Sequence, residues 1–399
     1  MSETDEQART RPARGTRPAN RRALIVTAAS DLFYRNGYTN VGVGDVADAV
    51  AIGPSALYRH FPNKQDILNA VIADALATTD TALDRLHDDP TTDIAATLAA
   101  TMLDHRGIGA LWHREARYLD SNARTTLRNR LRAIASRLAA LITRQRPQLS
   151  FEQADMLAWA VLGVATSVSF HSLELPREQY QGLLADMIDA LITAPVLPLP
   201  ATTPAPSPQH RAWWPSRRNA ILTEATILFG ERGYAGVATE DIGEAVGIAG
   251  PSIYNHFASK ADILTAILDQ GNLILQADLH RQLNRATGPA DALHRILHSY
   301  TEFAFENATL IGLLTSDTDQ LGPQQRHRIR TAQHDYITQW VDLLRQLHPA
   351  QESIHARIRV QAIINTINDI AATPHLHAYT GLADATELLA TRVLELPPR

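Results

Sequence analysis

One stretch of this chain occurs twice, and that repeat constrains the fold more than any other feature. Residues 52–68 read I-G-P-S-A-L-Y-R-H-F-P-N-K-Q-D-I-L, and residues 248–264 read I-A-G-P-S-I-Y-N-H-F-A-S-K-A-D-I-L. With a constant offset of 196 residues and no gap, Phe33 matches Phe229, Gly37-Tyr38 matches Gly233-Tyr234, and Asp66-Ile67-Leu68 matches Asp262-Ile263-Leu264. About 22 of about 52 positions agree, which marks an internal duplication. A chain of 399 residues is too long for one ordinary core, so two units are expected. Between them, A-P-V-L-P-L-P-A-T-T-P-A-P-S-P (194–208) holds six prolines and no charge, the composition of an extended, semi-rigid linker.

Each copy reads as three short helices. From Asn20 to Asn36 apolar residues recur at helical spacing (Leu24, Ile25, Ala28, Leu32, Phe33), and Gly37 follows where a helix ends. A second helix covers about 44–50, with Val46 and Val50 inward, and a tight turn through Ala51 leads to a third at about 54–60. Pro54 suits the first turn of that helix, where its missing N–H costs nothing. This is the helix-turn-helix arrangement. Leu57 and Phe61, at i and i+4, are expected in the core.

Docked into a major groove, the third helix presents Pro54, Ser55, Tyr58 and Arg59 near base edges, and Arg59 can pair bidentately with guanine. His60 and Lys64 suit phosphates, and the N–H groups opening the next helix offer a second anion site. Copy two offers Gly250, Pro251, Ser252, Tyr254, Asn255, His256 and Lys260, with Asn255 able to pair with adenine. The bland alternative is that Tyr58 and His60 merely pack the small domain. The Arg-rich start (Arg9, Arg11, Arg14, Arg17, then Arg21 and Arg22) reads either as a solubilising tail or as an arm following a DNA groove.

These residues resemble the DNA-binding domain of the TetR/AcrR family of bacterial transcriptional repressors. The pattern is carried by Phe33 to Tyr38, Val46-Ala47 and Leu57-Tyr58-Arg59-His60-Phe61 with Lys64. In copy two it is carried by Phe229 to Tyr234, Ile242-Gly243 and Ile253-Tyr254-Asn255-His256-Phe257 with Lys260. The chain departs from that pattern in places. Copy two keeps a turn glycine, Gly247, whereas copy one has Ala51, which costs about 1 kcal/mol if left-handed. Gly53 is a tolerable cap and Ala249 a poor one. Glu240 places a carboxylate near the expected DNA face, so copy two is expected to be the weaker head.

The resemblance implies an all-α chain of two TetR-like units, each a helix-turn-helix domain followed by a helical ligand-binding and dimerisation domain. Family members pair as homodimers, so the expectation here is an intramolecular pseudo-dimer, with further homodimerisation left open. The boundaries are a basic arm (1–20), head one (21–65), helical domain one (66–193), a linker (194–215), head two (216–261) and helical domain two (262–396). Helices are expected at about 92–104, 109–119, 122–145, 151–172 and 177–193, and their counterparts end the second half. The partner faces would be 151–193 and 351–396, through Leu157, Val161, Val164, Val168, Ile363, Ile367 and Ile370; internal core is the alternative reading.

An effector site is expected among the middle helices, with Trp112, Arg114, Tyr118, Phe303 and Trp340 as candidates. A solvated basic face or ordinary core explains the same residues. His294/His298 and His375/His377 form pairs without a fixed third ligand, so no metal and no cofactor are expected. The absence of cysteine excludes thiolate catalysis, and no phosphate-binding glycine loop or nucleophile elbow is found, so an enzyme is not expected. A net charge of −5 means nucleic-acid binding must come from local patches. No apolar run or signal-type leader is seen, so no membrane partner and a cytoplasmic location are expected. The reading is a transcriptional regulator, most simply a repressor. It would bind an asymmetric double-stranded DNA operator and be released by a small apolar or amphipathic effector. The alternative is a ligand-binding or protein-interaction module whose heads, one or both, no longer bind DNA.

Overall fold

A computed structural model of the chain describes residues 20–200 and 216–398. Arg9, Arg11, Arg14 and Arg17, and the linker residues 201–215, lie outside the described residues. The described part is helical, without a β-sheet, and its residues form two compact units: 20–137 with 168–171, and 138–167 with 172–200 and 216–398.

Unit one opens with α1 (Arg21–Asn36), α2 (Val43–Ala49) and α3 (Pro54–Tyr58). Ile25, Val26, Ala29 and Phe33 of α1 are buried with Val46, Val50, Leu57 and Phe61, whereas Leu24, Ala28 and Leu32, expected on the same face, are half-buried at its edge. Next comes α4 (Lys64–Asp88), capped by Asn63, whose Oδ1 accepts the Asp66 N–H at 2.8 Å. The helix α5 (Ile94–Asp104) is capped by Asp93 in the same way.

The single helix expected over 109–119 is not formed. The chain instead makes α6 (Ile108–Ala110), a π-turn (Leu111–Glu115) and a 3-10 turn (Ala116–Tyr118) before α7 (Ser121–Gln145). The physical reason lies in Arg114 and Glu115, whose partners are on α1 and the following turn, off the line of a straight helix.

Unit two takes in α8 (Phe151–Thr166) and α9 (Arg177–Ile192) together with the second half of the chain. Ser150 and Gln153 form a reciprocal capping box at the start of α8. The helix expected over 151–172 stops at Thr166 and passes into a 3-10 turn, 167–169. The first linker residues are not loose: Gln153 Nε2 donates to Val196 O and Leu197 O, and Thr380 N donates to Pro200 O.

Head two consists of α10 (Arg217–Arg232), α11 (Thr239–Ala245) and a 3-10 element, 250–255, where copy one has an α-helical turn. Then follow α12 (Lys260–Leu283), α13 (Pro289–Glu306), α14 (Ala308–Ser316), α15 (Pro323–Leu347), α16 (Ser353–Ala371) and α17 (Leu382–Val393). The faces expected to pair do so: α8 packs on α16, and α9 on α17. Leu157, Val161 and Val164 of α8 and Ile363, Ile367 and Ile370 of α16 are buried, as is Val168 in the turn after α8. Two helices of the first half thus pack on two of the second within this unit, driven by burial of apolar helix faces.

Candidate nucleic-acid interface

In head one, Leu57 and Phe61 are fully buried, while Pro54, Ser55, Tyr58, Arg59 and His60 are exposed. Tyr58 is half exposed (50%), which argues against a packing role for its ring. Two buried anchors thus hold α3 by one stripe and leave the other to solvent. Ala51 takes φ +54°, so the turn before α3 is left-handed without glycine; Gly247 takes φ +69° at the matching place.

Lys64 is half-buried rather than splayed. Its ammonium donates to Tyr38 O and lies 4.0 Å from the centre of the Tyr38 ring. Lys260 repeats this, donating to Tyr234 O and Val237 O at 2.8 Å each and lying 4.3 Å from the Tyr234 ring centre. Burial lowers the pKa of both lysines, opposed by Glu115 and Asp45 at Lys64 and by Asp241 at Lys260. Each lysine therefore braces its head as well as charging it. The N–H groups at the start of α4 are only partly free, since Asn63 takes that of Asp66 and the Asp66 carboxylate enters the first turn.

Sequence reasoning missed a second brace. Arg22 lies over the Phe61 ring at 4.6 Å, and Arg21 donates to Val50 O. Arg218 lies over Phe257 at 4.0 Å, and Arg217 donates to Val246 O. Arg21 and Arg22 thus belong to the folded head and not to an arm. The signal was present, because both pairs recur at the 196-residue offset.

Head two has the same exposed set, with Pro251, Tyr254, Asn255 and His256 at the surface and Gly250, Ser252 and Lys260 half-buried. Its geometry differs. A Cβ on Gly243 would stand 3.0 Å from Gly250 Cα, and Gly250 itself lies against the Glu240 side chain. Head one has Ala47 and Gly44 at these places. Closer approach lets the 250–255 element settle as a 3-10 turn, whose side chains fan out at different angles from those of α3. The Tyr254 hydroxyl and Thr239 Oγ1 are 3.3 Å apart, and Thr239 Oγ1 donates to Glu240 Oε2 at 3.2 Å.

Beneath head one the π-turn carries a buried carboxylate. Glu115, 1% exposed, accepts the Tyr38 N–H at 3.1 Å and pairs with Arg114. Arg114, one of the effector-site candidates, donates to Phe33 O and Tyr34 O at the end of α1. Tyr118 stacks on Tyr38 with ring centres 5.2 Å apart, so it too is a junction residue. Trp112 is half-buried. In the second half Trp340 is fully buried beside Tyr300 and Tyr336, and Phe303 is half-buried. Tyr300 donates to Asn368 Oδ1 at 2.9 Å. The paired histidines are occupied by hydrogen bonds: His294 to Pro397 O, His298 to Glu387, His375 to Asp155 and His377 to Ala371 O. No described helix is long and apolar enough to cross a membrane.

Comparison with known proteins agrees with this geometry. The family profile described as "Bacterial regulatory proteins, tetR family" matches twice, at residues 25–71 and 221–267. A "Tetracyclin repressor-like, C-terminal domain" profile matches 286–372. The transcriptional repressor KstR2 of Mycobacterium tuberculosis is 28% identical over 133 residues, covering 33% of this chain and 66% of that protein. The transcriptional activator FasR of Mycolicibacterium smegmatis is 23% identical over 116 residues, 29% of this chain and 53% of FasR. The chain thus spans just under two thirds of KstR2 and about half of FasR. Among solved structures, a TetR-family regulator from Bordetella parapertussis is 22% identical with a TM-score of 0.40, covering 46% of this chain and 94% of that one. The chain carries the N-terminal domain of the tetR family of bacterial regulatory proteins twice.

Proposed function

We propose that the chain is a cytoplasmic, ligand-responsive transcriptional repressor that binds an asymmetric double-stranded operator through two unequal heads. The observation that carries this reading is the exposed Tyr–His pair, Tyr58/His60 and Tyr254/His256, repeated on elements whose neighbouring aromatic residues are buried. An exposed tyrosine present in both copies of the repeat is better suited to a phosphate or base edge than to packing. Arg59 reads one half-site, and Asn255 gives the other a different preference. His60, His256, Lys64 and Lys260 supply positive charge near the backbone, so binding weakens steeply with salt.

The effector we propose enters the helical part of the second half, beside Tyr300, Phe303 and Trp340. Their aromatic surfaces with one amide, Asn368, suit an apolar or amphipathic molecule. Its binding shifts the long helices α4 or α12 that open on Lys64 and Lys260, and so couples negatively to DNA. A gel-shift series with DNA from the protein's own promoter region tests the core of this reading. Tyr58→Ala and Lys64→Ala should each weaken binding, and a footprint should be asymmetric. Unchanged affinity in both variants would remove head one as a reader.

The closed packing of head two supports a second reading, in which Tyr254 is held by Thr239 and head two adds little to DNA binding. Tyr254→Ala and Lys260→Ala decide between the two.

A further inference from the structure

The α8–α16 contact carries information about partner choice. The two helices hold corresponding places in their halves: α7 and α15 have the same length, each is followed by a five-residue connection, and then α8 and α16 begin. Counted from each helix start, Gly163 and Asn365 are both thirteenth, Asp155 and Arg357 both fifth. Corresponding positions meet: Asn365 Nδ2 donates to Gly163 O at 2.9 Å. The pair is complementary and unequal. A Cβ on Gly163 would stand 3.0 Å from Thr366 Cα and Thr366 Oγ1, so only glycine allows this approach. Two α16 faces would set asparagine against asparagine at that crossing. Two α8 faces would leave a gap where the amide sits.

The second contact is polar. Asp155 is buried (6% exposed) and accepts from His375 Nε2 and from the Tyr379 hydroxyl, each at 3.0 Å; Trp159 lies against the His375 ring. Burial and Asp155 push the Tyr379 phenol up, which keeps it a proton donor to that carboxylate. The fifth residue of α16 is Arg357, which donates to Thr338 Oγ1 at 2.6 Å within its own half. It offers no carboxylate to a second His375 and Tyr379. On the other side, the connection between the 167–169 turn and α9 contains no tyrosine. A pairing of like halves would therefore bury Asp155 without these donors, and an unpaired buried charge is strongly destabilising.

We infer that the α8 and α16 faces are fitted to each other and reject copies of themselves, so that each half selects an unlike half. The partner this surface takes is thus an unlike half, and the fused chain does not pair again through these helices. The inference stands whether or not either head binds DNA.

The test uses the full chain with a specific protease site placed within residues 201–215. After cleavage the two fragments should run as one particle with the mass of one chain, 43.8 kDa. After denaturation and refolding together they should re-form only that mixed particle. Particles made of like fragments, or a stable dimer of intact chains that dissociates on Gly163→Asn, would overturn the inference. In the cleaved chain Gly163→Asn should separate the fragments, because its side chain meets Thr366. Fragments that stay together in this variant, with helical content unchanged before cleavage, would equally overturn it. Asp155→Asn should weaken reassociation at constant helical content, and equal reassociation would remove the polar contact from the argument.

Discussion

The two heads share 22 or so of about 52 residues, yet they solve the same packing problem differently. Head one keeps an α-helical reading element, tolerates a left-handed Ala51, and is stapled from below by Arg114 and Glu115. Head two has a relaxed turn at Gly247, and its reading element is drawn onto α11 by Gly243 and Gly250. Strain and support have thus been redistributed. The head with the strained turn presents Arg59, whereas the unstrained head has Tyr254 near Thr239 and Glu240. Duplicated domains keep their buried anchors because core volume is unforgiving, and diverge at turns and surfaces where single changes cost a kcal/mol or less.

This comparison can be broken or sharpened in four ways. The largest effect is expected at the reading residues. Arg59→Ala should weaken operator binding by about 1–3 kcal/mol, roughly tenfold or more, while Asn255→Ala should cost clearly less in the same titration. Equal losses would make the heads equivalent. Next is the staple under head one. Arg114→Ala leaves Phe33 O, Tyr34 O and Glu115 without their guanidinium partner, and should destabilise the protein by about 1–3 kcal/mol in chemical denaturation. An unchanged midpoint would leave Arg114 free for the effector role instead.

Third is the turn. Ala51→Gly should gain, and Gly247→Ala lose, up to about 1 kcal/mol, visible as opposite shifts of a few degrees in thermal unfolding. Loss of stability in both would show that Ala51 is not strained. The smallest effect is expected at Glu240→Gly, which copies Gly44 of head one. Removing a carboxylate beside the reading element should raise DNA affinity a few-fold and steepen its salt dependence slightly. No change would indicate that head two lies off the DNA.

Much of this was legible in the residues themselves. The 196-residue repeat, the i, i+4 anchors Leu57/Phe61 and Ile253/Phe257, and the apolar faces of α8 and α16 all follow from local periodicity, which the structure obeys. The caps Asn63 and Ser259 lie next to their helices and are equally local. Arg22 over Phe61 was legible in principle, since its repeat at Arg218 marked it, but a basic run beside Arg-rich sequence reads as a tail.

The rest needed the tertiary structure, because it depends on groups far apart in the chain meeting at particular atoms. Lys64 on the Tyr38 ring spans 26 residues, Arg114 on the end of α1 about 80, and Asp155 with His375 and Tyr379 more than 200. No periodicity encodes such partners; they are set by which helix ends the packed cores bring together. The close approach of residues 250–255 to α11 at Gly243 and Gly250 is likewise a contact between separate elements. By itself the sequence determined that the chain is helical and carries the same helix-turn-helix pattern, with its buried anchors, twice. Tertiary structure alone decided how unequal the two heads are and which half each half accepts, since both rest on contacts within a few tenths of an ångström of a clash.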